Sequence, residues 1–198
     1  MWKRWCACAA LLGSLATPAP ALNHAGVEIA PMVRVEGQRR PWVLLGSAMV
    51  QRSFIPFYGL AMHGPADAVA RGNISEGLTP LQITLVWYAN ELPKAQVQAH
   101  FRELFESVTS LETRQRVAPR LAKFIAMLPA ATRGQTMVFF YDPDGGSQIT
   151  ISGGATEHFP GIEFNRALLG MWLGPSADAE VRHGLTTAPP IHAAPAAK

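Results

Sequence analysis

The chain has 198 residues, 48% of them hydrophobic and 16% charged, with a formal net charge of +3. This balance excludes a disordered polyelectrolyte and suffices for one domain with a substantial core. Arg39-Arg40 and the separate Arg114, Arg116, Arg120 and Lys123 make no stripe interleaved with aromatic residues, which argues against nucleic acid as a partner.

Residues 1–21 have the layout of a secretory signal peptide. Lys3 and Arg4 give a positive start, residues 5–16 are apolar, and Ala19-Pro20-Ala21 offers small residues for cleavage. Loss of this segment leaves 177 residues and lowers the formal charge from +3 to +1, because it holds two cations and no acid. Cys6 and Cys8 leave with it, so the mature chain has no disulfide and no thiol chemistry. An ordinary apolar core must hold it together. No later stretch is apolar for the roughly 20 residues that a membrane span requires.

Residues 27–35 and 42–45 read as strands joined by a turn at Glu36-Gly37-Gln38. Residues 47–62 read as one longer extended run, in which Pro56 calls for an edge position or a bulge. A short helix is expected over residues 66–71. In residues 81–88 Leu81, Ile83, Leu85 and Trp87 alternate with Gln82, Thr84, Val86 and Tyr88, the pattern of a half-buried strand.

From Pro93 the period changes to that of a helix, with Val97, Phe101, Leu104, Phe105 and Val108 on one face. A second helix is expected over about residues 112–128, kinked or broken early at Pro119. Residues 136–141 and 148–152 are strands around the turn Asp142-Pro143-Asp144-Gly145-Gly146. In residues 164–174, Phe164, Ala167, Leu168, Met171 and Trp172 recur at helical spacing before Gly174-Pro175 ends the run. Residues 186–198 are rich in Ala and Pro and read as a disordered tail, leaving a domain over 22–185. Strands, a helix pair, more strands and a terminal helix imply an α+β domain with a largely antiparallel sheet.

Few residues carry visible chemistry. The six histidines show no metal-ligand spacing. Ser47, Ser53 and Ser152 lack a nucleophile elbow, and Ser152-Gly153-Gly154 opens no phosphate-binding loop. Aromatic and methionine residues instead crowd the predicted sheet: Phe54, Phe57, Tyr58, Met62, Trp87, Phe139, Phe140, with Met171 and Trp172 opposite. They serve as a covered sheet core, or in part as the lining of a cleft for a flat or long apolar ligand.

Taken in order, the strand beginning Leu45-Gly46-Ser47-Ala48, its continuation through Tyr58, residues 81–88, the helix pair, Tyr141-Asp142-Pro143-Asp144-Gly145-Gly146 and the FNRALLGMWLG helix resemble the chalcone isomerase fold family. More narrowly, they resemble its bacterial, secreted chalcone isomerase-like branch. The resemblance covers about residues 27–185 and implies an open-faced β-sandwich, a large antiparallel sheet covered by a layer of helices. Plant enzymes of the family cyclise chalcones to flavanones by adding a phenoxide to an enone, with a cation stabilising the developing oxyanion.

Aligning back from Tyr58 puts Val50 where the family carries its key arginine. Arg52 lies two residues along, on the same face but displaced by about 7 Å. A family threonine falls on Tyr58, and the polar residue of the last helix falls on Met171. Tyr88, Asn90 and His100 lie near the positions of the remaining family site residues. The resemblance thus implies a ligand-binding set of Val50, Arg52, Tyr58, Tyr88 and Met171, with Arg52 and Tyr58 the residues that could act in catalysis. Losing the fixed cation removes several kcal/mol of oxyanion stabilisation, so the fold is expected without the plant-type activity. The expectation is a periplasmic protein that binds a hydrophobic small molecule, a fatty acid or a flat aromatic. An intramolecular lyase on another substrate is the alternative. A third reading is haem, with His63, His100 or Met171 as iron ligands.

Overall fold

A computed structural model describes residues 22–70 and 74–187; the signal pattern and residues 188–198 lie outside them. In chain order the strands and helices are β1 (Leu22–His24), β2 (Val27–Ile29), β3 (Met32–Val33), β4 (Trp42–Arg52), β5 (Ile55–Gly64), β6 (Leu81–Trp87), β7 (Glu91–Leu92), α1 (Lys94–Val108), α2 (Leu111–Met127), β8 (Ala131–Thr132), β9 (Thr136–Asp142), β10 (Gly146–Ile151), β11 (Thr156–Phe159), α3 (Ile162–Leu173) and α4 (Ala179–Thr186). Seven of the strands form one sheet in the order β11-β10-β9-β6-β5-β4-β3, and every neighbouring pair is antiparallel. This is the expected large antiparallel sheet under a layer of helices.

The pleat sorts residues between two faces. Leu60, Met62, Ile83, Leu85, Trp87, Met137, Phe139 and Tyr141 share one face with Val97, Phe101 and Phe105 of α1, Phe124 of α2 and Phe164, Leu168 and Trp172 of α3, in a single buried cluster. On the opposite face the β1–β2 hairpin lays Leu22, Val27 and Ile29 over Leu44, Ala61 and Val86. That cover explains why Val86 is buried although the alternation assigns it to the wet side. Trp42 stacks on Phe140 at 5.6 Å across two intervening strands, a reach that the curl of the sheet permits.

Four details of the sequence reading need correction. Residues 27–35 are not one strand, because β2 pairs with β1 in a separate hairpin while β3 edges the main sheet. Residues 47–62 are not one extended run, because β4 and β5 form a hairpin closed by Arg52 opposite Ile55. Its two turn residues, Ser53 (φ 51°) and Phe54 (φ 65°), both have the positive φ of a type I′ turn. Neither is a residue that signals such a turn, so the reversal left no mark in the sequence. Residues 66–70 form turns rather than a helix, followed by a short 3₁₀ turn at Ile74–Glu76. Pro119 lies within α2 without ending it. The bulge expected at Pro56 is present: Val50 pairs with Tyr58 but Gln51 pairs with Pro56, leaving Phe57 as the extra residue. Five further elements, β1, β7, β8, β11 and α4, had no counterpart in the sequence reading, and α4 takes in Thr186 of the expected tail.

Close backbone contact seats α4 on β4. A Cβ on Gly46 would fall onto the carbonyl oxygens of Gly184 and Leu185, and a Cβ on Gly184 would lie 2.6 Å from the carbonyl oxygen of Ser47. Glycine inside a helix costs about 1 kcal/mol relative to alanine, which this packing offsets. Gly184→Ala should therefore lower stability by about 1–3 kcal/mol in urea unfolding, despite the better helix former. An unchanged or raised midpoint would show that α4 is not seated this way.

The face away from the helices also buries two histidines. His63, 1% exposed, bonds Ala30 O through Nε2 at 2.8 Å, while His24 bonds the Tyr88 hydroxyl through Nδ1 at 3.1 Å. Nδ1 of His63 and Nε2 of His24 have no hydrogen-bond partner. Burial holds both rings below the ordinary histidine value of 6.5, so they stay neutral in the fold. As pH falls below about 6.5 the unfolded chain takes up protons that the native chain refuses, and stability must drop. Melting temperatures should fall from neutral pH toward about pH 5, and His63→Gln, which keeps a donor for Ala30 without titrating, should flatten the decline. An equally steep decline in the variant would remove His63 from the account.

Candidate functional site

At the base of the β4–β5 hairpin the sheet meets the N-terminal half of α1. Val50 lies directly opposite Tyr58, and its side chain packs against the main core. Tyr58 is 1% exposed. Its hydroxyl oxygen accepts from Trp172 Nε1 at 3.2 Å and lies 3.3 Å from His100 Nε2, to which the O–H can donate. That arrangement needs a neutral imidazole. Burial pushes the Tyr58 phenol well above its ordinary value, against a smaller opposing effect of the Trp172 hydrogen bond. His100 is pushed down to about 4, by burial first and by the nearby Arg52 charge second. At neutral pH the pair is therefore uncharged. Trp87 meets Tyr58 edge-on at 5.4 Å and 77°, and Phe57 packs against it at 5.5 Å, tilted by 47°.

Outside this pair lies an open depression of about 360 Å³, lined by Arg52, Phe57, Leu92, His100 and Glu103 and by Gln96 and Ala99 of α1. The Arg52 guanidinium sits 6.0 Å from the Phe57 ring centre, close enough for a cation–π contact. The site thus offers an exposed cation at the rim, a carboxylate on the next helical turn from His100, and an aromatic wall with a neutral hydrogen-bonding pair behind it. It can hold a small amphipathic molecule by one charged end. A second depression, about 430 Å³, lies between Ile74, Leu173 and α4. Its arginine, Arg182, already donates to Gly174 O and Pro175 O, at 3.0 and 3.2 Å, and so fastens the α3–α4 turn.

The structure therefore gathers Arg52, Tyr58 and His100. It does not gather the other residues singled out. Tyr88 lies on the opposite face, bonded to His24, with Arg133 5.5 Å over its ring. Asn90 is exposed in the turn after β6. Met171 is 2% exposed and packed in the core on α3. The three residues considered for haem do not converge either: His63 is on the far face, His100 at the depression and Met171 inside the core. Among the described residues no cluster of His, Cys, Asp or Glu is arranged to hold a metal ion.

The sequence reading missed Leu92, Gln96, Ala99 and Glu103 as parts of this site, and named Phe57 and Trp172 only among the aromatic residues that could line a cleft. The helical period supplied one usable signal, since Gln96, Ala99, His100 and Glu103 repeat at three- and four-residue steps beside the buried stripe of α1. The Trp172–Tyr58 bond, spanning 114 residues, had none.

No curated protein matches the chain by sequence. Among solved structures, the Arabidopsis thaliana fatty-acid binding protein AtFAP1 superposes with a TM-score of 0.63 at 16% identity, covering 82% of this chain and 92% of that one. Identity that low speaks for the fold alone. A family model described as chalcone isomerase-like matches residues 21–186, which takes in every strand and helix described above, and the chain belongs to the chalcone isomerase-like family.

Proposed function

We propose that the protein is a non-catalytic carrier of a hydrophobic small molecule with an anionic end, a fatty acid or a flat aromatic acid, held at the Arg52 depression. The observation that carries this reading is the pairing of the exposed Arg52 guanidinium with an aromatic wall in an open depression beside the sheet–helix seam. Arg52 would take the carboxylate. Phe57, Leu92 and the stem of Gln96 would lie along the apolar part. A volume of about 360 Å³ falls within the ~300–1,000 Å³ of ordinary small-molecule sites. The fatty-acid binding protein of the same fold adds support for the ligand class.

The interior argues against plant-type isomerisation. Val50 and Met171 put apolar side chains where the resemblance expects polar ones, and both pack into the core. The alternative, a lyase acting on another substrate, draws on one observation: His100, neutral at pH 7, is a base beside a buried phenol and within the field of Arg52.

We place the protein outside the cytoplasm, in a bacterial periplasm. The basic and apolar pattern of residues 1–21 supports this, as does the start of the family match at residue 21, beyond Cys6 and Cys8. Expression in a bacterium with fractionation should yield a periplasmic protein beginning near residue 22; a full-length cytoplasmic product would refute the placement.

Titration calorimetry with dodecanoate should show one site, weakened about tenfold by Arg52→Gln, the loss of one charge-assisted contact. Incubation with a chalcone should give cyclisation no faster than in buffer. Turnover well above buffer that Arg52→Gln abolishes would replace the carrier reading with the enzyme one.

A further inference from the structure

We propose that the tip of the β4–β5 hairpin is a membrane-interface anchor: Phe54 and Ile55 insert into a lipid surface and bring the Arg52 depression against it. The ligand's route from bilayer to depression rests on the carrier reading above; the anchoring does not.

The hairpin projects from the body of the domain. All six residues from Gln51 through Pro56 are exposed, and burial resumes at Phe57. At its end Phe54 is 95% exposed and Ile55 69% exposed. An exposed aromatic alone means little. This one also sits at φ 65°, next to Ser53 at φ 51°, in a two-residue turn that asparagine and glycine would make without strain. The fold gains nothing from the Phe54 ring, yet the chain holds it in a conformation that bulky residues avoid. A role outside the domain accounts for both facts.

The size of the tip selects the partner. Phe54 and Ile55 together present roughly 300 Å² of apolar surface. A stable protein interface needs about 800 Å² from each side. A small protruding wedge is instead the shape that enters the headgroup region of a bilayer, where an aromatic ring is favoured. Arg52 stands two residues from Phe54 and can extend to lipid phosphates. Arg133 lies at the same end of the sheet, where it donates to Tyr88 O. Glu91 and Glu103 balance these charges, so attachment should depend on apolar insertion more than on electrostatics.

The test is flotation of the purified protein with vesicles of phosphatidylethanolamine and phosphatidylglycerol, at low and high salt. The wild type should float at both, and Ser53→Asn with Phe54→Gly should reduce the bound fraction about tenfold or more. That variant relaxes the turn, so its melting temperature should equal or exceed that of the wild type, which separates lost anchoring from lost folding. Its dodecanoate affinity in solution should be unchanged. Equal flotation of wild type and variant, or none by the wild type, would overturn the proposal. Concentration-dependent self-association that the variant abolishes would overturn it too, assigning the tip to a protein contact. Flotation that persists in a protein with no dodecanoate binding would keep the anchor and sink the carrier reading.

Discussion

Phe101 meets Trp87, Phe124 and Trp172 edge-on at ring-centroid distances of 5.6 to 6.5 Å, and Phe124 and Trp172 in turn meet Phe139. This ring network fixes the spacing between sheet and helices, and the remaining architecture depends on it. Each such pair contributes about 0.5–1.5 kcal/mol beyond simple burial, and each prefers one geometry. Phe105, Phe159 and Phe164 extend the layer toward α2 and β11. With no cysteine beyond Cys8, the 22–187 region takes its order from this layer rather than from covalent links.

Filling the seam with rings has a chemical consequence. Rings pack the space between sheet and helices, and few polar side chains persist in it; Asn165 Oδ1 on α3 is buried there without a hydrogen-bond partner. Tyr58, Trp172 and His100 bond one another there, while burial raises the phenol, lowers the imidazole and leaves both neutral. Arg52 and Glu103 place charge at the rim. On the carrier reading, an anion arriving from solution meets Arg52 at the mouth.

The rim also explains why the β4–β5 hairpin matters. The bulge at Phe57 turns that ring to form the wall of the depression and lets the strands beyond it run on into solvent. Arg52 therefore belongs to two surfaces, the depression below it and the exposed tip beyond it. On the other side of the sheet, the β1–β2 hairpin uses the absence of a side chain at Gly59 to press His24 against the strand. There the fold buries titratable groups for packing and gives them no opening.

Much of the fold was legible in the residues because it rests on local periodicity. The alternation in residues 81–87, the apolar stripes of α1, α2 and α3, and the Asp142 turn, whose Oδ1 accepts from the Asp144 and Gly145 amides, all report their own conformation. Elements that owe their form to distant partners were not legible. The reversal at Ser53-Phe54 is imposed by pairing along β4 and β5, and α4 is held by glycine contacts with a strand more than 130 residues earlier. The candidate site divides in the same way. Arg52 and Tyr58 could be named from the strand, and His100 from its place beside the α1 stripe, but Tyr88 and Met171 share a site with them only along the chain. By itself the sequence determined which faces are apolar and hence the layers of the fold. Tertiary structure decided which side of the sheet each polar group occupies and how far the aromatic rings close the seam, because curl, bulges and packing distance are set by contacts that no local pattern encodes.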